Sequence, residues 1–324
     1  MSLPRGGRDY PRTLPEFERF FPDEQSCHQY LATLRWPAGF VCPPCQHRGT
    51  PWLVRRAHYR CRSCRAETSV TAGTIFHRRR IPLRLWFLAA WEMTGTKHGT
   101  SALDVQRQLG LGSYRTAWLI SHKLRRALVR PSRALLSGTV ETDETDVGGE
   151  EAGARGRQTV GKAIVAVAVE MKRGHVGRVR LRHVPDVSAD SLLVFLTDTV
   201  VAGSRIHTAG WTSYQDLARH GFRHTITVLS AQPEPAHVAM PGVHRVASLL
   251  KRWLLEVEQG GVAPAHLQAY LEEFTFRFNR RTSRARGLLF RRLLEQAVVT
   301  QPHPWETIVK NTGRGKRKRR GGVK

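Results

Sequence analysis

The chain has 324 residues, enough for two or three domains, and lysine plus arginine outnumber aspartate plus glutamate by 52 to 26. Such an excess suits a polyanionic partner, most commonly nucleic acid, and its spread over residues 55–65, 78–80, 125–133 and 277–286 points to several contact surfaces. No apolar run follows the first basic residues and no stretch of about 18 apolar residues occurs, so neither a signal peptide nor a membrane span is expected, and the five cysteines point to metal ligands or free thiols in a cytoplasmic protein.

Residues 1–13 are polar and rich in proline and glycine. From 14 to 34 the apolar residues Phe17, Phe20, Phe21, Cys27, Tyr30, Leu31 and Leu34 recur at helical spacing, and Pro22 divides the segment into two short helices. Cys27 falls on the apolar side and is assigned to the core. This N-terminal helical segment is taken as residues 1–35.

Residues 36–80 form the next unit. Cys42-Pro43-Pro44-Cys45 and Cys61-Arg62-Ser63-Cys64 make a C-x2-C-x15-C-x2-C pattern. Each C-x2-C turn converges two thiolates on one ion, and two such turns complete a tetrahedron, so Cys42, Cys45, Cys61 and Cys64 are expected to hold a structural Zn2+. Arg55, Arg56, Arg60 and Arg62 crowd the second turn beside Tyr59, a basic surface suited to DNA phosphates.

Residues 81–132 read as helices over 83–94, 101–109 and 113–128. The last two are separated by Gly110-Leu111-Gly112 and have Ser101 and Ser113 as N-caps, the pattern of a helix-turn-helix. The second helix would present Tyr114, Arg115, His122 and Lys123 to DNA outside an apolar stripe of Ala117, Ile120 and Leu124.

A different texture runs from 139 to 300. Strands are expected at 140–143, 164–169, 177–184, 205–208 and 224–229, and helices at 189–200, 213–219, 243–257 and 266–279. Three strands, then alternating helices and strands, is the α/β order of an RNase H-like mixed sheet with flanking helices, and of other α/β folds too. Residues 301–324 form a tail whose basic cluster lies at 314–320.

The acidic stretch Glu141-Thr142-Asp143-Glu144-Thr145-Asp146 is conspicuous in so basic a chain, and is read as following a short strand. Carboxylates at strand ends can hold divalent metals that activate a water or a 3′-hydroxyl, and Mg2+ or Mn2+ suits such oxygen ligands.

The sequence resembles the insertion-sequence transposases that join an N-terminal zinc ribbon to a DDE-type, RNase H-like catalytic domain. The matching segments are the two C-x2-C pairs, Gly73-Thr74-Ile75-Phe76, Leu109-Gly110-Leu111 through Thr116-Ala117-Trp118, residues 141–149, Gly210-Trp211 with Tyr214, residues 244–253, residues 266–271, and Phe276-Arg277-Phe278-Asn279-Arg280-Arg281. Together they cover about residues 15–310.

The resemblance implies that Asp143 is the first metal ligand, that His244 takes the third position as a further ligand for Mg2+ or Mn2+, and that Lys251 contacts substrate DNA. The second ligand should be the aspartate of a Thr-Asp-Gly-Trp motif, which here reads Thr208-Ala209-Gly210-Trp211. Glu258 is a second departure, standing where similar proteins carry histidine. The resemblance further implies a nucleoid-associated bacterial protein that binds double-stranded DNA, both terminal inverted repeats and target, commonly as a dimer. Cleavage and strand transfer are expected to be impaired by Ala209. The alternative is a non-catalytic DNA-binding protein, such as a repressor or a domesticated transposase.

Overall fold

The computed structural model describes residues 3–55, 57–96, 98–130, 132–148, 162–228, 236–258 and 262–310. Arg56, Gly149 and the basic cluster at 314–320 lie outside the described residues.

The chain opens with α1 (Leu14–Phe20) and α2 (Glu24–Arg35). Thr13 caps the first by accepting the Glu16 N–H, and Asp23 with Ser26 forms a capping box on the second. Three short antiparallel strands follow: β1 (Trp52–Arg55), β2 (His58–Arg60) and β3 (Glu67–Ser69). Then come α3 (Leu83–Gly95), α4 (Ala102–Gln108) and α5 (Tyr114–Ala127).

Helix α3 is apolar on nearly every side: Leu83, Trp86, Phe87, Ala90, Trp91 and Met93 are all buried. A helix of that kind must be surrounded by other elements. Here α1, α2 and α5 pack around it, and so does α10 (Arg286–Ala297), which returns from the far end of the chain. Phe17, Phe21, Phe87 and Phe290 meet edge to face at the centre, with the Phe21 and Phe87 rings 4.9 Å apart at 88°. Segments separated by some 250 residues of chain therefore share one core, and Cys27 is buried in it.

The second body is a five-stranded sheet of order β6-β5-β4-β7-β8, made by β4 (Thr139–Val147), β5 (Ala163–Lys172), β6 (His175–Val184), β7 (Arg205–Thr208) and β8 (Arg223–Ile226). The first three pair antiparallel, and β4, β7 and β8 pair parallel. This is the RNase H-like mixed sheet. Helix α6 (Ala189–Thr199) and a 3-10 helix (Thr212–His220) cover one face. The other face carries α8 (Pro241–Glu258), preceded by α7 (Ala236–Ala239), and α9 (Pro264–Phe278). The run 164–169 alternates between the two cores, which explains its lack of polar residues.

Edge strand β6 is closed by side chains. Asn279 accepts the Val179 N–H at 2.7 Å and donates to the Val179 carbonyl at 3.1 Å. Gln268 accepts the His183 N–H at 2.9 Å. Two amides, Gln268 on α9 and Asn279 just beyond it, thus satisfy backbone groups that would otherwise invite another strand. A last helix, α11 (Trp305–Lys310), ends the described chain.

Three local expectations are corrected. Strand β4 extends to Val147, so the acidic residues lie within the strand and do not follow it. The helix expected at 213–219 is 3-10, closed by Gly221 at φ 81°. Ser113 precedes α5 but makes no side-chain capping bond.

Candidate functional site

Pairing with β5 sorts the acidic strand into two faces. Glu141, Asp143 and Thr145 stand opposite Val169, Val167 and Val165, whose side chains belong to the core under α8 and α9. Thr142, Glu144 and Asp146 stand opposite Ala168, Ala166 and Ile164, on the α6 side.

Glu141 is buried, and its Oε2 accepts the N–H groups of Gly242 at 2.8 Å and Val243 at 3.0 Å. These are orphan donors of the first turn of α8, and Pro241 before them has no N–H to satisfy. A carboxylate there also complements the positive end of the helix. Gly242 is required by the close approach, since a Cβ would lie 2.7 Å from both Glu141 Oε2 and Met171 Sδ. The start of α8 is therefore pinned to β4 two residues from Asp143. His244, in that first turn, is half-buried, and its Nε2 has no hydrogen-bond partner among the described residues. Lys251 lies two turns further along and is exposed.

Position 209 is fixed by the parallel pairing of β4 with β7. Thr139 stands opposite Arg205, Val140 opposite Ile206 and Glu141 opposite His207, a constant offset of 66. The same offset puts residue 209 level with Asp143. Ala209 packs on the α8-side core, the side that Asp143 faces. Ala209, the first residue after β7, thus packs on the same side of the sheet as Asp143, the side covered by the helix that carries His244, with a methyl group where the resemblance calls for a carboxylate.

Nearby acids are engaged elsewhere. Glu144, on the α6 side, accepts the Tyr214 hydroxyl; burial first, and then that carboxylate, push the phenol well above its usual range. Asp216 is exposed and pairs with Arg219 at 3.0 Å. Glu273 is fully buried between Arg125 and Arg277. Tyr214 gives the Gly210-Trp211 motif a structural partner in Glu144.

The cysteines meet as expected. The Cys42 and Cys64 sulfurs lie 3.6 Å apart, those of Cys45 and Cys61 lie 3.7 Å apart, and all four fall within 4.8 Å of one another. A tetrahedron with Zn–S bonds of about 2.3 Å has edges of about 3.8 Å, so this donor set fits zinc. Both turns share one geometry: Gln46 and Arg65, each just after the second cysteine, adopt φ 57° and 62°. Beneath them only Phe40 and the two buried cysteines form a core, flanked by Trp36 and Tyr59. Arg62 and Arg65 approach the half-exposed Trp52 ring at 5.6 and 4.5 Å, Arg55 is exposed, and Arg60 is tied to Glu67, 3.0 Å from its Nε.

Residues 135–279 match the ISXO2-like transposase domain, and residues 22–67 match the transposase zinc-ribbon domain. The chain thus carries a transposase zinc-ribbon domain followed by an ISXO2-like transposase domain. It is also similar to an uncharacterized protein in the transposable element ISH50 of Halobacterium salinarum, at 28% identity over 283 residues, 79% of this chain and 91% of that protein.

Between its two matched domains the chain carries α4 and α5, joined by a turn in which Gly110 has φ 61°. Tyr114 and Arg115, in the first turn of α5, are exposed, and the Arg115 guanidinium lies 3.8 Å from the centre of the Trp305 ring. His122 corrects the expectation made for it. It is buried, its ring 3.9 Å from Trp118 and 5.1 Å from His266, and burial, then Arg125 and His266, push its pKa down to about 2. A neutral imidazole enclosed in this way presents nothing to DNA. Lys123 is half-buried, 5.9 Å from the Trp86 ring, and burial lowers its pKa.

Arg125 was among the basic residues read as surface, yet it has no exposure. Its Nε donates to Glu273 at 2.7 Å, its guanidinium lies 4.0 Å from the Tyr270 ring, and Nη2 is 4.0 Å from Glu258. Glu258, the second departure from the family pattern, thus adds a carboxyl to a buried charge cluster; burial raises its pKa. On the other side of Glu273, Arg277 ties α9 to the end of α3 by donating to the carbonyls of Met93 and Thr96. Sequence could not have found this cluster, because Arg125 and Glu273 stand 148 positions apart. Among the described residues, no helix is long and apolar enough to cross a membrane.

Proposed function

We propose that this transposase-family chain binds double-stranded DNA at the terminal inverted repeats of its element, with its strand-cleavage and strand-transfer centre impaired by Ala209. The organisation we propose is a helical segment at 1–35, a zinc ribbon at 36–80, a helix-turn-helix region at 81–132, an RNase H-like domain at 139–300 and a basic tail at 301–324. Cys42, Cys45, Cys61 and Cys64 hold a structural Zn2+, and Arg55, Arg62, Tyr114 and Arg115 face the duplex. Lys251, exposed on α8, contacts backbone phosphate. Such a protein works at the nucleoid, on target DNA as well as element ends.

The single observation that carries the impairment is that Ala209 follows β7, the parallel neighbour of β4, on the side of the sheet that Asp143 faces. In an intact site, two divalent metals would activate the attacking oxygen and stabilise the leaving one. Asp143 and His244 alone fall short of the oxygen-rich set that Mg2+ requires, and Glu144, Asp216 and Glu273 are committed to Tyr214, to Arg219, and to Arg125 with Arg277. No cleavage step is therefore assigned to the chain as it stands. The same observation favours a second reading, a DNA-binding protein that represses related elements.

The test is cleavage of labelled element-end DNA with Mg2+ or Mn2+, comparing the chain with Ala209→Asp. Cutting by Ala209→Asp alone supports an impaired transposase centre. Binding without cutting by either protein favours the repressor reading. Equal cutting by both overturns the impairment.

A further inference from the structure

A cavity of about 270 Å3 opens where the segment after α5 crosses β6 and α9. Five arginines line it, Arg130 and Arg133 from that segment, Arg178 and Arg180 from β6, and Arg280 just beyond α9, together with one acid, Glu272. Two of them are neutralised. Arg133 pairs with Glu272 at 2.7 Å, and Arg178 pairs with Glu170 at 2.6 Å. Among the described residues, no carboxylate comes within ion-pair distance of Arg130, Arg180 or Arg280.

Arg180 is the most informative. Only 5% of it is exposed, and the partners of its Nη atoms are carbonyls, those of Val179 at 2.9 Å and Ala134 at 2.6 Å. Burial, then Arg133 and Arg178, pull its pKa down to about 10. Arg280 is likewise pulled down to about 10, by burial and then by Arg130 and Arg292. An uncharged group lies at the wall of the same cavity. Thr275 is 4% exposed, lines the cavity, and its hydroxyl has no hydrogen-bond partner among the described residues. A buried helical threonine usually satisfies its hydroxyl on the preceding turn, and leaving it unpaired is unfavourable.

We propose that this cavity is a phosphate-binding site in which the guanidinia of Arg130, Arg180 and Arg280 and the Thr275 hydroxyl receive one phosphate group. Planar forked donors match phosphate oxygens, and an anion relieves the repulsion among like charges gathered in a poorly solvated space. The volume holds a phosphate and a few waters of about 30 Å3 each. The group comes either from a DNA backbone or from a free phosphate compound. The backbone source rests on the DNA-binding reading above; the free source does not.

The experiment has two arms, run on the full chain and on Arg130→Gln/Arg280→Gln. In the first, Tm is measured in inorganic phosphate and in chloride at matched ionic strength. The native chain should gain at least about 2 °C from phosphate, and the variant nothing. In the second, duplex binding is followed against salt. If the site takes a backbone phosphate, the variant's log-log slope falls by about 0.9. Loss of the phosphate effect with an unchanged slope assigns the site to free phosphate compounds. No phosphate effect on the native chain, with identical slopes, overturns the site. Failure of the native chain to bind DNA sinks the DNA-binding reading and leaves the first arm standing. Should the double variant fold poorly, Thr275→Val keeps every charge and should still shrink the phosphate-induced rise. An undiminished rise in that variant counts against the site.

Discussion

Asp143 lies on β4 and Ala209 immediately follows the parallel neighbour β7, and both belong to the side of the sheet that α8 covers. Adjacent strands lie about 4.8 Å apart, so a carboxylate at 209 could share ions with Asp143. Ala209→Asp should therefore acquire a Mn2+-dependent rise in stability of about 1.4 kcal/mol once the ion exceeds its Kd tenfold. Adding Asp143→Asn should abolish it. Melting curves against Mn2+ decide the matter, and an equal response from the native chain would show that position 209 is irrelevant to the ions.

Glu141 shares the face of Asp143 yet acts as a cap for α8. Glu141→Ala should lose about 1–3 kcal/mol in urea unfolding, because two buried N–H groups lose their acceptor. Gly242→Ala should lose about 1–3 kcal/mol through the clash of its new methyl group with Glu141 and Met171. Glu141→Gln keeps an acceptor and should lose less than Glu141→Ala. Equal losses for those two variants would mean that charge, and not the hydrogen bonds, holds the helix.

The buried pair of Arg125 and Glu273 predicts asymmetric mutational behaviour. Glu273→Ala strands guanidinium charge in the interior and should cost about 3–5 kcal/mol. Arg125→Met/Glu273→Leu removes both charges and should cost less than either single change. Denaturant midpoints for the two single variants and the double variant test this, and additive losses would contradict it.

His122 makes stability depend on pH in a definite direction. In the unfolded chain an imidazole binds a proton below about pH 6.5, whereas the folded chain resists until about 2. The unfolded state therefore takes up the proton first, and stability falls as pH drops below 6.5, by about 1.4 kcal/mol per unit once the unfolded group is fully protonated. Glu170 is buried but held down to about 2, mainly by Arg178, so its loss has the same sign and begins only near its unfolded value of 4.5. Between pH 6.5 and 5, the gap between the native chain and His122→Phe should report the histidine alone. Parallel curves in that window would contradict its burial as a neutral ring.

The zinc ribbon has too small a core to persist without its ion. Cys61→Ser should lower bound zinc by about one ion per chain and open residues 36–69 to proteolysis, while the helical core and sheet stay protected. Metal analysis and timed digestion provide the readout. Unchanged protection at full zinc loss would show that packing alone holds the ribbon.

Much of this was legible in the sequence. The cysteine spacing led to four converging sulfurs, and the apolar 164–169 run led to an interior strand of the sheet. The Thr208-Ala209-Gly210-Trp211 motif led to the position beside Asp143. What stayed hidden depended on partners far along the chain. An apolar stripe marks one buried side of α5, but α9 covers another side, which is where His122 and Arg125 disappear. The acidic part of β4 reads as a loop because Glu, Asp and Thr carry little apolar signal, and only its pairing with β5 makes it a strand. Glu141 cannot be told from a metal ligand by residue type; the first turn of α8 settles its role.

The join between Arg125 and Glu273 leaves no hinge between α5 and α9. Under the proposed function, duplex held by Tyr114 and Arg115 would sit at one set distance from Asp143, and the packed core would act as a gauge: a longer or shorter span of DNA would require a second copy of the protein or a bend in the DNA.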